Sequence, residues 1–382
     1  MTASSETIAR IHREAPLTDI HAHPSMKAWL FRRNLWHHYW SASGFDPLTS
    51  RTDFKMLEKG GVGVVWSALH LPERKLFKDC FVLGAAAFLL VPVYLRIMHG
   101  DPFERLLEIM DAMERELLRR PDRTELAQDV ADIERIRRAG KIAFVHTVEG
   151  AHVLGPDVEK DLETLARRGV AMITLTHFYS NGLAVPADGI PEGMIIKRLC
   201  RLNFGLGDTP ALTDKGRTVL RKMSDLDMIV DVTHCNEAAR AAVYAEVDSA
   251  RPIVASHIGV KRYRHDPYNL HDDEIREIQR RNGGIGIIFM PYWLSSDEKE
   301  HHEGLPMIRK TMEHIHGVTG SWDHVMLGTD FDGFTDPPDD VQDASRLGEV
   351  TRMLLDDMQL AESDVKRILG GNAMRVLRAG WQ

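Results

Sequence analysis

Eight short runs rich in Val, Ile, Leu and Thr recur along the chain, and most of them end on an imidazole or a carboxylate. The runs are LTDIHAH (17–23), VGVVWSALH (62–70), IAFVHTVE (142–149), AMITLTH (171–177), MIVDVTH (228–234), IVASH (253–257), IGIIFM (285–290) and HVMLGTD (324–330). Near-continuous apolar runs of this length read as strands buried on both faces. Amphipathic segments separate them, among them 102–120, 211–227, 236–246 and 272–281, with Thr213 placed to cap the second. Strands alternating with helices imply parallel pairing, and eight such units predict a (β/α)8 barrel. A doubly wound open sheet is the alternative, weakened by the lack of GxGxxG after the first strand. One domain is expected over 1–382, with an apolar insertion near 72–100 and extra helices closing the C-terminus.

The polar ends carry the chemistry. The first run ends on His21 and His23, the third on Glu149, and the fourth, fifth and sixth on His177, His234 and His257; the eighth ends on Asp330. His21 and His23 are two residues apart, so on a strand they face one side and can reach one object. In a barrel all these ends share the C-terminal rim, where active sites sit. Imidazole and carboxylate are poor fillers of a packed barrel, so their joint placement points to a metal centre. The donors are nitrogen and oxygen without thiolate, which suits Zn²⁺ and also accommodates Mn²⁺, Co²⁺ or Fe²⁺. They are too many for one tetrahedral ion that keeps an open position, so two ions sharing Glu149 are expected. Two metals about 3.5 Å apart can hold a bridging hydroxide at neutral pH and polarise a carbonyl. Asp330 would then move a proton from the attacking water to the leaving amine.

With these residues in view, the chain resembles the membrane (renal) dipeptidase family of zinc peptidases, within the amidohydrolase superfamily. The resemblance rests on HAHP (21–24), VEGAH (148–152), TLTHFYSN (174–181), LTDKGRTVLRKM (212–223), VDVTH (230–234), ASH (255–257), GTDFDG (328–333) and ILGGNAMRV (368–376). It covers nearly the whole chain in order. It implies that His21, His23 and Glu149 hold one metal, that Glu149 bridges to a second completed by His234 and His257, and that Asp330 is the general acid/base. It also implies that His177 reaches the substrate carbonyl and helps stabilise the oxyanion.

Two departures bear on the substrate. The family pattern at the first strand is His-X-Asp, whereas here it is His-X-His; the ligand remains but one negative charge is lost. The family also places an Arg-Asn pair after the sixth-strand histidine, and that Arg clamps a dipeptide's terminal carboxylate. Here the stretch reads HDPYNLHDDEI (265–275), and Tyr268 stands in place of the Arg. A phenol carries no charge and cannot form a bidentate fork. Arg262 and Arg264 are the candidates for a displaced clamp, their alternative being a solvated basic loop. The expected activity is hydrolysis of a dipeptide or dipeptide-like amide. An amide, lactone or ester lacking the free carboxylate is the second reading, and a non-catalytic metal-binding accessory protein the third.

Composition bounds the partners. A net charge of −8 argues against a general nucleic-acid binder and for a soluble protein taking a small peptide-like substrate. Cys80, Cys200 and Cys235 are far apart and show no CxxC spacing, so neither a disulfide framework nor a thiolate cage is expected, and Cys235 reads as packing. The amino terminus has no apolar signal region, which makes the cytoplasm the expected location. A homodimer is expected by analogy with similar barrels. The run FVLGAAAFLLVPVYL (81–95) is too short for a membrane span and contains Pro92. It reads either as a buried helix or lid, or as an exposed patch for dimer or membrane-surface contact. WHHYW (36–40) reads as aromatic packing or, through His37 and His38, as a substrate contact; His301 and His302 read as solvated loop.

Overall fold

The computed structural model describes residues 3–381 apart from 42–43, 47, 90, 191–196, 198–199, 201, 203 and 208–209. Among the described residues, nine parallel strands form one sheet: β1 Leu17–Ala22, β2 Val62–Leu69, β3 Thr124–Leu126, β4 Ile142–Glu149, β5 Val170–Thr174, β6 Ile229–Asp231, β7 Ile253–Ile258, β8 Gly284–Ile287 and β9 Val325–Leu327. The sheet order is β2-β1-β9-β8-β7-β6-β5-β4-β3, and β2 also pairs with β4 from Val64↔Ala143 to Leu69↔Val148. That last ladder closes eight strands into a (β/α)8 barrel. The ninth, β3, occupies the edge of β4 at Ile142–Phe144, ahead of the point where β5 takes over at His146.

All eight expected runs contain strands, but several end early, β8 among them at Ile287. β5, β6 and β9 stop at Thr174, Asp231 and Leu327, three residues short of His177, His234 and Asp330. Those three side chains are therefore presented by the first turn of each loop rather than by the strand. At His234 and Asp330 the reason is visible in the backbone, which takes φ +65° and +59°. Left-handed φ cannot continue a ladder, and in residues other than glycine it concentrates at functional sites.

Alternation along β4 shows how the barrel is filled. Ala143 and Val145 join one buried cluster with Val64, Trp66, Met172, Ile229 and Val254, while Phe144 and Val148 join the cluster shared with the outer helices. Period-2 geometry then puts Glu149 on the face of Ala143 and Val145, one level from the rim. Ala373, Met374, Val376 and Leu377 of the last helix, Asn372–Gly380, belong to the inner cluster. Gly286 on β8 and Gly328 after β9 both lie where any Cβ would collide with the Ser256 carbonyl, so only glycine lets these strands approach β7.

The helices expected at 102–120, 211–227, 236–246 and 272–281 are present as Pro102–Leu117, Asp214–Asp225, Glu237–Glu246 and Asp272–Arg280. Thr213 caps the second, its side chain accepting from the Gly216 N–H. The tail forms two helical stretches, 348–357 and 362–380, each with a π-turn inside it.

One expectation needs correction. Cys80 and Cys200 form a disulfide across 120 residues of sequence, although their spacing gave no sign of one. Cys80 follows β2 and Cys200 follows β5, so each lies on a long loop at the same barrel rim, and folding brings the two loops together. Cys235 is free and buried, as packing requires. The apolar run is two short helices, Phe81–Leu89 and Val91–Met98, and it is not buried throughout: Phe81 is 85% exposed. Among the described residues no helix is long and apolar enough to cross a membrane.

Candidate metal centre

Six imidazoles converge on one carboxylate at the C-terminal mouth. Glu149 Oε1 lies 3.3 Å from His21 Nε2, 3.1 Å from His234 Nε2 and 3.3 Å from His257 Nε2. Its other oxygen lies 3.4 Å from His23 Nε2, 3.2 Å from His70 Nδ1 and 3.9 Å from His177 Nε2. Asp330 Oδ1 stands 3.2 Å from His23 Nε2 and 4.0 Å from His21 Nε2. The whole constellation is buried, with Asp330 and His177 the most open at 8% and 9%. Every residue expected to bind metal or move protons is thus gathered within one group.

The donor set fits divalent ions. Nε2 of His21 and His23 are 3.1 Å apart, as are Nε2 of His234 and His257. Two nitrogens held about 2.0–2.1 Å from one tetrahedral ion sit at about this separation. Ser256 sets the tautomers. Its hydroxyl donates to Asp231 Oδ2 at 2.6 Å, so its lone pairs must accept from His257 Nδ1 at 2.9 Å and His21 Nδ1 at 3.3 Å. Both rings then carry their proton on Nδ1 and leave Nε2 free as a ligand, the arrangement outer contacts impose at metal centres. Burial pushes the His257 and His70 imidazoles well below their ordinary pKa, which keeps them neutral. Burial acts the same way on His21, but Glu149, Asp330 and Asp231 outweigh it and hold that ring at about 8, so an ion bound at Nε2 would displace a proton there. Burial opposes the Glu149 carboxylate, yet the rings of His177, His23 and His21 hold it well below the usual range.

Two aspartates anchor the strands that carry the candidate ligands. Asp19 accepts from the Thr329 hydroxyl at 2.6 Å, the Thr329 N–H and the His21 N–H, locking β1 to the loop before Asp330. Asp231 accepts from the hydroxyls of Thr174, Thr233 and Ser256 and from two main-chain N–H groups, tying β5, β6 and β7.

Sequence reasoning missed His70 and Glu73. His70 was legible: the run VGVVWSALH ends on it as the others end on their ligands. Its Nδ1 is 3.0 Å from the Glu149 carbonyl oxygen. Glu73 had no such signal, since it lies in the loop after β2. Its carboxylate accepts from His177 Nδ1 at 2.8 Å and from the main-chain N–H groups of Phe178 and Tyr179, so it aims His177 Nε2 into the mouth. Burial raises the Glu73 pKa, but the His177 and His152 rings and those hydrogen bonds outweigh it and bring it to about 2, against an ordinary 4.5. A carboxyl with a depressed folded pKa adds stability that is present above its unfolded pKa and lost as pH falls through the folded one. Glu73→Gln should therefore cost about 3 kcal/mol near neutrality and flatten the loss of stability between about pH 4.5 and 2. Urea unfolding of both proteins across that range is the check.

The expected substrate residues are placed differently. Tyr268 is buried; its hydroxyl donates to the His257 carbonyl at 2.8 Å and its ring stacks on Trp293, 5.2 Å from the His234 ring. Arg262 is exposed and lines a surface groove with Glu237, His271 and Glu274. Arg264 is half-buried in the turn beside it, its carbonyl accepting from Asn269. Of the aromatic stretch, Trp36 packs edge-on to Phe54 and His38 contacts Asp53. His302 is exposed and contacts Asp339.

Parallel barrels that carry imidazoles and carboxylates at their C-terminal mouth are the framework of metal-dependent hydrolases, and this chain falls in that class. Comparison with known proteins narrows it. The model of the membrane dipeptidase family, peptidase family M19, matches residues 5–380. The chain is 26% identical over 355 residues to the dipeptidase tcpJ of Claviceps purpurea, covering 92% of this chain and 75% of that one. The fold matches a Rhodobacter sphaeroides metallopeptidase, solved with a phosphinate mimic of L-Ala-D-Ala, at TM-score 0.72 and 19% identity, over 96% of this chain and 99% of that one. It matches the probable dipeptidase PvdM of Pseudomonas aeruginosa at TM-score 0.73 and 18% identity, over 98% of each. The chain belongs to the membrane dipeptidase family and is a hydrolase acting on peptide bonds.

Proposed function

We propose that the chain hydrolyses dipeptides, or amides built like them, at a pair of divalent ions, zinc first among them. The observation that carries this reading is the pair of imidazole couples around Glu149: Nε2 of His21 and His23 lie 3.1 Å apart, as do Nε2 of His234 and His257, and all four lie within 3.4 Å of its carboxylate oxygens. His21, His23 and Glu149 would hold one ion, and Glu149, His234 and His257 the other. Bound there, such a pair would polarise the scissile carbonyl and make water nucleophilic near neutral pH.

The chain's own groups do the rest. Asp330 is 12% exposed at its side chain, so it is open to the mouth while lying against His23. It accepts the proton of the attacking water and returns it to the departing amine. Glu73 holds His177 so that Nε2–H faces the carbonyl oxygen, and burial against the His177 charge is outweighed by Glu73 and Glu149, which raise its pKa. The proton needed to stabilise the developing oxyanion is therefore retained.

Metal-loaded protein should turn over members of a dipeptide panel that includes D-residues at the carboxyl end. Protein that holds metal and cleaves none of them would refute the peptidase reading. The second reading, a carboxylate-free amide, lactone or ester, is favoured by one contact: the Tyr268 hydroxyl is already spent on the His257 carbonyl. Turnover of acyl amides with none of free dipeptides would select it.

A further inference from the structure

Nine large hydrophobic side chains among the described residues are strongly exposed, and seven of them fall on two neighbouring loops. Trp40 (76%), Phe45 and Leu48 follow β1, while Phe81 (85%), Val82, Val91 and Leu95 follow β2. β1 and β2 pair directly, so both loops leave the same rim that carries His21, His23 and His70. The two loops also touch, since Arg96 donates to the carbonyls of Trp29 and Leu30. Scattered apolar residues on a surface need no explanation, but a gathering of this kind marks a contact face.

The helix Phe81–Leu89 sharpens the point. Its sequence, FVLGAAAFL, contains no charged or polar residue. A helix apolar all round belongs in a core or in lipid. This one begins with Phe81, Val82 and Ala85 open to solvent. With its partner Val91–Met98 it forms two helices of nine and eight residues, too short to cross a bilayer but sized to lie on one.

Charge selects the occupant. The whole chain carries −8, yet residues 71–99 hold Arg74, Lys75, Lys78 and Arg96 against only Glu73 and Asp79. Glu73 is buried against His177, and Asp79 lies beside Tyr179, where burial and the Asp79 charge raise the pKa of the phenol. Lys75 and Lys78 are exposed beside the apolar helix, and Arg32 is exposed on the adjoining loop. Exposed Trp and Phe flanked by Lys and Arg are the composition of a segment lying in the headgroup layer of an anionic membrane.

We propose that the loops after β1 and β2 form a docking face for an anionic lipid surface, with Phe81, Val82, Val91, Leu95 and Trp40 entering the headgroup region. The barrel mouth then faces the bilayer. The test is sedimentation of the full-length, metal-loaded protein with vesicles of phosphatidylcholine alone and of phosphatidylcholine mixed with phosphatidylglycerol. Binding is expected to the mixed vesicles and to weaken with added salt. Phe81→Glu with Leu95→Glu should abolish it. Arg32→Glu with Lys78→Glu should weaken it by about tenfold or more, since each basic residue near such a surface contributes about fivefold. The second pair lies outside the apolar face, so it keeps the test decisive should the first pair fail to fold; metal content reports folding in both. No binding to either vesicle, or binding indifferent to the charge pair and to salt, overturns the proposal. Light scattering that finds a dimer broken by Phe81→Glu, without vesicle binding, overturns it in favour of a second copy of the chain.

Discussion

Asparagine at position 330 should lower kcat for dipeptide hydrolysis by about 10²–10⁴-fold, the range a positioned acid/base group supplies, while metal content stays unchanged. The substitution is almost isosteric, and asparagine tolerates the left-handed backbone that Asp330 adopts at φ +59°. Folding should therefore be spared, and what is lost is the capacity to accept and return a proton. KM should move little, because the side chain touches His23 rather than the position of a substrate's remote groups. Steady-state kinetics together with elemental analysis separate the roles. Loss of metal alongside activity would make Asp330 a ligand instead, since it already lies within ligand distance of His21 and His23. Full activity in the variant would remove it from the chemistry.

The second large effect concerns Glu149. Glutamine there should reduce metal affinity by more than about 100-fold, beyond what loss of an outer-sphere contact costs, and activity should fall with it. Glu149 is the carboxylate that contacts His21, His23, His70, His177, His234 and His257. At the proposed two-ion centre, removing its charge would leave buried cations without the carboxylate that their imidazoles surround, which burial strongly disfavours. Metal content after dialysis and the recovery of activity on adding back ions give the measure. A variant that keeps both ions would dismiss the bridging role.

The barrel and most of its centre were readable from residue order because their physics is local. A strand buried on both faces reads as an unbroken apolar run, so an imidazole or carboxylate at its end stands out, and His21, His23, Glu149 and His257 were found that way. β3 was not read, since three residues, TEL, carry no periodicity. The early stops of β5, β6 and β9 were also hidden, because a positive φ at His234 or Asp330 is a property of the turn and not of the residue type. Glu73 and the Cys80–Cys200 bridge depend on two long loops meeting at one rim, a contact that no spacing rule encodes. Tyr268 and Arg262 were named by their place in a motif. Which way each side chain is turned, one toward the His257 carbonyl and the other toward an outer groove, depends on packing.

The left-handed backbone at His234 and Asp330 has an evolutionary corollary. Glycine would sit at either position with less conformational cost, by about 1 kcal/mol or more at His234. With the roles proposed for these two side chains, selection for heat resistance alone would replace them and return sturdier barrels that no longer turn over substrate. Durability and turnover are set against each other at these two residues, and any effort to harden this enzyme has to hold both fixed.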